Sequence, residues 1–251
     1  MDKYTLKTAF RKSFLHVVWR IEADTSEGLL AVETRDKDSG APLFSAFDYR
    51  TGDMFIHEKP YGDRNWTLAG TTMRKLIMRA YGANSPDGAG IACMDIDNGA
   101  LLWEQFNYTL LRVDHSQLTV RHRNFAGGYE QYLDPTTGNL TPINTSPNKP
   151  TGPAIVLPQR YHGGVPGLLA NFAIYGDVFH CQIGDKHVWA FHEATGSVFR
   201  VRLVITDGLV LLADKVILRD LPGITPELFF VIGQHLFTVG NNKQEIVSYL
   251  V

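Results

Sequence analysis

Apolar and polar residues alternate along much of this chain in short runs, the period-2 signature of β-strands with one face buried. Four of these runs end in the same way, with an acidic or polar residue followed four positions later by glycine. They are FSAFDYRTGDMF, IACMDIDNGALLW, YEQYLDPTTGNL and VWAFHEATGSVF. The anchors are Asp48 with Gly52, Asp95 with Gly99, Asp134 with Gly138, and His192 with Gly196. An aspartate side chain can accept hydrogen bonds from backbone N–H groups two or three residues on, and so tighten such a loop. Glycine supplies the positive φ that lets the next strand return antiparallel. Each segment therefore predicts a β-hairpin.

The anchors lie 47, 39 and 58 residues apart. A four-stranded propeller blade takes about 40–50 residues, so the first two intervals fit one blade each. The third is lengthened by a stretch rich in Pro, Gly and Asn at about 141–167, which predicts an irregular excursion. Strand-like runs precede each hairpin, and LFFVIGQHLFTVGNNKQEIVSYLV repeats the pattern near the C-terminus as a fifth unit. That unit lacks an outer strand. The run LHVVWRIEAD, with Trp19, is similar to ALLWEQFN, with Trp103, so an N-terminal strand at about 13–23 is expected to complete it and close a ring. The segment 201–220 fits either an extra hairpin or a degenerate sixth blade. The expected fold is all-β: a single domain over 1–251, with about five four-stranded blades.

The hairpin, clearest as CMDIDNGALLWEQ, resembles the repeat of quinoprotein-type (pyrroloquinoline quinone dehydrogenase-like) β-propellers. The resemblance covers four hairpins directly and implies a scaffold. Enzymes of that family form larger rings, and many carry adjacent cysteines beside the cofactor. This chain has neither feature, so no cofactor is implied. Its length and irregular repeats are also similar to those of small uncharacterised bacterial propeller proteins, which implies no activity.

Composition narrows the partners. Lys and Arg number 24 against 26 Asp and Glu, for a formal charge of −2, with the signs interspersed. No electrostatic footprint for nucleic acid or a membrane surface is expected. Lys7, Arg11 and Lys12 interrupt any apolar leader near the initial Met, so a cytoplasmic chain is expected. Cys93 and Cys181 sit in alternating runs and predict buried thiols.

Candidate chemistry is sparse. His180, His187 and His192 fall in one blade with Cys181, but no zinc-type spacing is present. His180 and Cys181 point to opposite faces of a strand, so no metal site is expected. His192 is expected to cap its turn as the aspartates do. Asp48, Asp95 and Asp134 recur once per blade and predict structural turns rather than catalytic carboxylates. Gly88-Ala89-Gly90 precedes a strand and predicts a hairpin loop, not a phosphate cradle. Trp66, Trp103 and Trp189 are expected to pack between blades. The remaining candidates are Arg160, Tyr161 and His162, which combine a guanidinium, a phenol and an imidazole within the excursion, where binding residues concentrate. The reading that follows is a non-catalytic binding or scaffold propeller that holds a protein or small ligand. The alternative is an enzyme, a lyase or hydrolase, acting in the central funnel.

Overall fold

In the computed structural model, the alternating runs fold as antiparallel strands, and residues 6–81, 90–124, 129–144, 151–226, 228–240 and 242–251 are described. Apart from a 3-10 turn at Gly167–Leu169, every regular element among them is a strand. No helix among them is long and apolar enough to cross a membrane. Residues Gly88 and Ala89 of the glycine loop lie outside the described residues. Contacts divide the chain into two compact units. A central unit spans Phe14–Pro153, and a terminal unit combines Met1–Ser13 with Ala154–Val251.

The strands group into five antiparallel up-and-down sheets, the blade unit of a β-propeller. The first strand, β1 (Lys7–Ser13), belongs to the terminal unit. The central unit then holds three four-stranded sheets. These are β2 (Val17–Asp24), β3 (Leu29–Arg35), β4 (Pro42–Asp48) and β5 (Met54–Pro60); β6 (Trp66–Thr72), β7 (Lys75–Ala80), β8 (Ile91–Asp95) and β9 (Leu101–Gln105); and β10 (Tyr108–Val113), β11 (Leu118–His122), β12 (Gln131–Leu133) and β13 (Leu140–Thr141).

The Asp-x-x-x-Gly segments close hairpins as their chemistry predicts. Asp48 Oδ1 accepts hydrogen bonds from the N–H groups of Arg50 (2.7 Å) and Thr51 (3.2 Å), and Asp134 Oδ1 from Thr136 (2.7 Å) and Thr137 (2.9 Å). The glycines take φ of 80°, 69° and 70° at Gly52, Gly99 and Gly138. Two further turns of the same type were not singled out in the sequence. Asp24 receives Ser26 and Glu27 ahead of Gly28, and Asp36 receives Asp38 and Ser39 ahead of Gly40. Gly28, Gly40 and Gly52 thus punctuate the first sheet 12 residues apart.

Adjacent sheets of the central unit dock through these turns. The residue four positions after one turn glycine covers the glycine of the next sheet's turn: Ile56 covers Gly99, and Trp103 covers Gly138. A Cβ on Gly138 would lie 2.6 Å from the Trp103 ring, while the indole N–H donates to the Pro135 carbonyl at 2.9 Å. Strand β3 is buried along its whole length, polar residues included. Glu33 pairs with Arg35 at 2.5 Å and accepts from Thr67 Oγ1 and the Leu68 N–H on β6. Arg35 in turn donates to the carbonyls of Gly40, Arg64 and Trp66. Arg35 Nε finds no hydrogen-bond partner among the described residues, but the pair's bonds to the backbone of the next sheet tie the two sheets together.

The terminal unit contains β14 (Ile155–Val156), β15 (Gln159–Arg160), β16 (Tyr175–Ile183), β17 (Lys186–Thr195), β18 (Val198–Asp207) and β19 (Val210–Leu221). It continues with β20 (Phe230–Ile232), β21 (His235–Gly240) and β22 (Glu245–Leu250). Strands β15 to β19 form one five-stranded sheet in chain order, and the other has the order β1-β22-β21-β20-β14. Their shared core includes Cys181, Val188, Leu203 and Ile205 from one sheet and Val231, Leu236, Val247 and Tyr249 from the other.

Several expectations are corrected here. An N-terminal strand does extend the last sheet, but it is Lys7–Ser13 paired with β22, not residues 13–23. The run around Trp19 instead forms β2, paired with β3, and Trp19 is exposed. The strand KTAFRKS was hidden by its charges, which suit an exposed sheet edge. Of the two readings of residues 201–220, the hairpin is the one that forms: they make up most of β18–β19, the outer pair of an existing sheet. The excursion contributes the edge strands β14 and β15. His192 caps no turn. It lies within β17 opposite Val201, is fully buried, and accepts the Thr225 N–H at Nε2 (3.2 Å). The turn itself is the two-residue Gly196-Ser197, which needs no cap.

Candidate functional site

The sheet β15–β19 carries a cluster of polar and aromatic side chains that follows from its turn chemistry. Gly184, with φ of 58°, starts a two-residue turn that sets Ile183 opposite Lys186. Pairing then runs Gln182 with His187 and His180 with Trp189. Side chains alternate between faces, so these four share one face, and Cys181 and Val188 share the other. Cys181 and Val188 enter the apolar core. Burial pushes the Cys181 thiol up to about 11 and the Cys93 thiol up to about 12. Both are unpaired, buried sulfhydryls, and protonated thiols of this kind are poor nucleophiles.

On the opposite face, His180 Nε2 lies 3.0 Å from His187 Nδ1, and the two rings are nearly parallel at 20°. His180 also packs on the Trp189 ring at 4.1 Å between centroids. Trp189 is almost fully buried and directs its indole N–H toward Thr206 Oγ1 at 3.4 Å. Burial, and then the neighbouring His187, hold the His180 imidazole below its ordinary value, which favours the neutral ring.

The segment 159–163 places the three residues singled out in the sequence beside this cluster. Strand β15 pairs Gln159 with His180 and Arg160 with Phe179, and the Tyr161 N–H donates to the Val178 carbonyl at 2.8 Å. The Tyr161 ring meets Trp189 edge-on at 5.2 Å and His180 at 6.0 Å. Gly163 lets the chain turn back over that ring, since a Cβ there would lie 2.6 Å from it. Arg160 pairs with Asp177 at 2.8 Å, both partly exposed. Asp177 is turned toward it by a bulge, where the register shifts between Tyr175 and Val178 and Gly176 takes φ of 75°.

Two open cavities, of about 350 Å³ and 260 Å³, flank this segment, and Arg160, Tyr161 and His162 line both. Gln159, His180 and Gln182 complete the polar wall of the larger, and Asp177 lies on the smaller. The volume of the larger is in the range of small-ligand pockets. Chemically the wall offers imidazole nitrogens, amides, a phenol and an aromatic face. Arg160 already has a carboxylate partner.

Sequence reasoning singled out Arg160, Tyr161 and His162 but did not join His180, His187 and Trp189 to them. The usable signal was Gly184-Asp185, because a two-residue turn there fixes the diagonal placement of the two histidines. Of the expected packing tryptophans, Trp103 docks on the next sheet's turn. Trp66 packs edge-on against Tyr61 at 4.9 Å, and Trp189 forms the floor of the cluster. Among the described residues, no group of three or more His, Cys, Asp or Glu side chains converges as a metal cage.

Comparison with known proteins adds little to this geometry. Residues 23–103 match the model of a family described as Domain of unknown function (DUF4905). No curated protein matches the chain. Among solved structures, BamB from Moraxella catarrhalis is similar at 12% identity over 98% of this chain and 98% of that one, with a TM-score of 0.31. The β-propeller domain of the Trilobed protease from Pyrococcus furiosus is similar at 10% identity over 91% of this chain and 81% of that one, with a TM-score of 0.32. Likenesses at this level carry no argument about what this chain binds or does.

Proposed function

We propose that this protein is a non-catalytic binding protein, with its ligand site on the terminal unit at Gln159–His162 and the adjoining face of β16 and β17. The observation that carries the reading is the shared lining of two open cavities by Arg160, Tyr161 and His162. An exposed Tyr161 ring beside polar groups that line an open cavity suits recognition of a small planar ligand with hydrogen-bonding groups. Two free, buried thiols are in keeping with action in the cytoplasm.

The test is a ligand-observed NMR screen of small heteroaromatic fragments against metal-free protein in the presence of a chelator. Fragments that bind wild-type protein are expected to lose most of their signal change with Tyr161→Ala, and to be displaced from one common site. Fragments that bind Tyr161→Ala as well as wild type, or a screen with no binders, would overturn the reading.

A further inference from the structure

The two histidines on the exposed side of the β16–β17 hairpin are arranged for more than packing. Their facing nitrogens, His180 Nε2 and His187 Nδ1, stand 3.0 Å apart. An imidazole binds zinc at about 2.0–2.1 Å, so two imidazole nitrogens on one ion stand about 2.9–3.4 Å apart for angles between square-planar and tetrahedral. The pair already has that separation. Both rings are only partly buried, and His180 lines the larger cavity, so an ion arriving from solvent can keep water on its remaining positions. The backbone holds the spacing: His180 is paired with Trp189, Gln182 with His187, and the turn between them is two residues long.

We propose that His180 and His187 form a two-histidine site for a borderline divalent transition metal such as Cu²⁺, Ni²⁺ or Zn²⁺. The proposal rests on the binding reading above in one respect, the openness of the larger cavity beside His180. Imidazole ligands favour these ions, whereas Mg²⁺ and Ca²⁺ seek oxygen donors. The metal replaces the hydrogen bond between the rings: the proton on the donor nitrogen moves through solvent to the other nitrogen of the same ring, and each facing nitrogen then donates its lone pair to the ion. On its His180 side the site borders the cavity lined by Tyr161 and His162.

The experiment is a titration of tag-free full-length protein with Cu²⁺, followed by electron paramagnetic resonance and calorimetry. The expected result is one tight ion per chain whose spectrum carries coupling to two imidazole nitrogens. Ni²⁺ and Zn²⁺ should displace it, and millimolar Mg²⁺ should not. His187→Gln and His180→Gln are each expected to weaken binding at least tenfold, while His122→Gln in the central unit leaves it unchanged. A spectrum with one imidazole nitrogen or none would overturn the proposal on wild-type protein alone, even if a variant fails to fold. So would unchanged binding by a folded His187→Gln. Cu²⁺ is also expected to quench Trp189 fluorescence, and Trp189→Phe should lose that quenching while still binding the ion. Fragments that bind metal-free protein while Cu²⁺ finds no two-nitrogen site would overturn the metal and leave the small-ligand reading standing. The reverse result would overturn only the small-ligand reading.

Discussion

The first sheet of the central unit and the β15–β19 sheet of the terminal unit share a rhythm but differ in how they turn. Glycines recur every 12 residues in both, at Gly28, Gly40 and Gly52 in one and at Gly184, Gly196 and Gly208 in the other. In the first, each glycine ends an Asp-x-x-x-Gly loop, which leaves strands of 7 or 8 residues. In the second, each glycine opens a two-residue turn, which leaves β17 and β18 with 10 residues each. The loops differ in surroundings as well. Gly28 is covered by Arg50 of its own sheet, and elsewhere in the central unit Gly99 and Gly138 are covered by Ile56 and Trp103 of the neighbouring sheet, whereas Gly184, Gly196 and Gly208 have open space around them. Longer turns act as docking points between sheets of the central unit. Shorter turns give longer strands, and the surplus strand surface carries the His180, His187 and Trp189 cluster. One unit uses its repeat for sheet-to-sheet attachment, and the other exposes part of a face.

The largest effect that sharpens this contrast is expected at Glu33 and Arg35. Removing either partner alone, as Glu33→Ala or Arg35→Ala, strands a buried charge and should cost about 3–5 kcal/mol of stability. Chemical denaturation followed by circular dichroism would read it. A loss no larger than that of a surface substitution would mean the pair does not hold the two sheets together.

A smaller but more discriminating comparison is Gly138→Ala against Gly196→Ala. Both glycines have positive φ, at 70° and 62°, so both variants carry a backbone cost of about 1–2 kcal/mol. Only at Gly138 does the new methyl also meet the Trp103 ring, which adds overpacking of about 1–3 kcal/mol. Gly138→Ala should therefore melt clearly below Gly196→Ala. Equal melting temperatures would break the distinction between docked and open turns.

The smallest expected effect concerns pH. Burial holds His192 below its ordinary value, and burial followed by His187 does the same for His180. The unfolded chain then binds more protons than the folded one in the window between folded and unfolded values. That stability is fully present above the unfolded value of 6.5 and is lost as pH falls through it. Thermal melts between about pH 7.5 and pH 5.5 should show a decline that His192→Gln flattens. A decline of the same size in that variant would remove His192 as a contributor.

Much of the central unit was legible from residue order because its turns carry their chemistry in the chain. Asp48, Asp95 and Asp134 each announce a loop through a side chain that satisfies its own backbone. Asp24 and Asp36 do the same, yet their loops Thr-Ser-Glu and Lys-Asp-Ser lack the Thr-Gly or Asn-Gly ending that made the others visible. The terminal unit was harder to read. His192 resembles a capping aspartate by spacing alone, while its hydrogen-bond partner, the Thr225 N–H, comes from a distant segment. Strand β1 reads as a charged tail until its pairing with β22 is known. The candidate site was half legible: Arg160, Tyr161 and His162 stand together in the chain, whereas His180 and His187 meet only through the β16–β17 register.

The central claim, that binding belongs to the terminal unit and attachment to the central one, is tested most directly by backbone amide NMR during a Zn²⁺ titration of the metal-free chain. The account predicts shifts concentrated at residues 159–163 and 177–189, with the amides of the Asp-x-x-x-Gly turns at 24–28, 36–40 and 48–52 unmoved. Saturable shifts centred on those turns, with 177–189 silent, would contradict it.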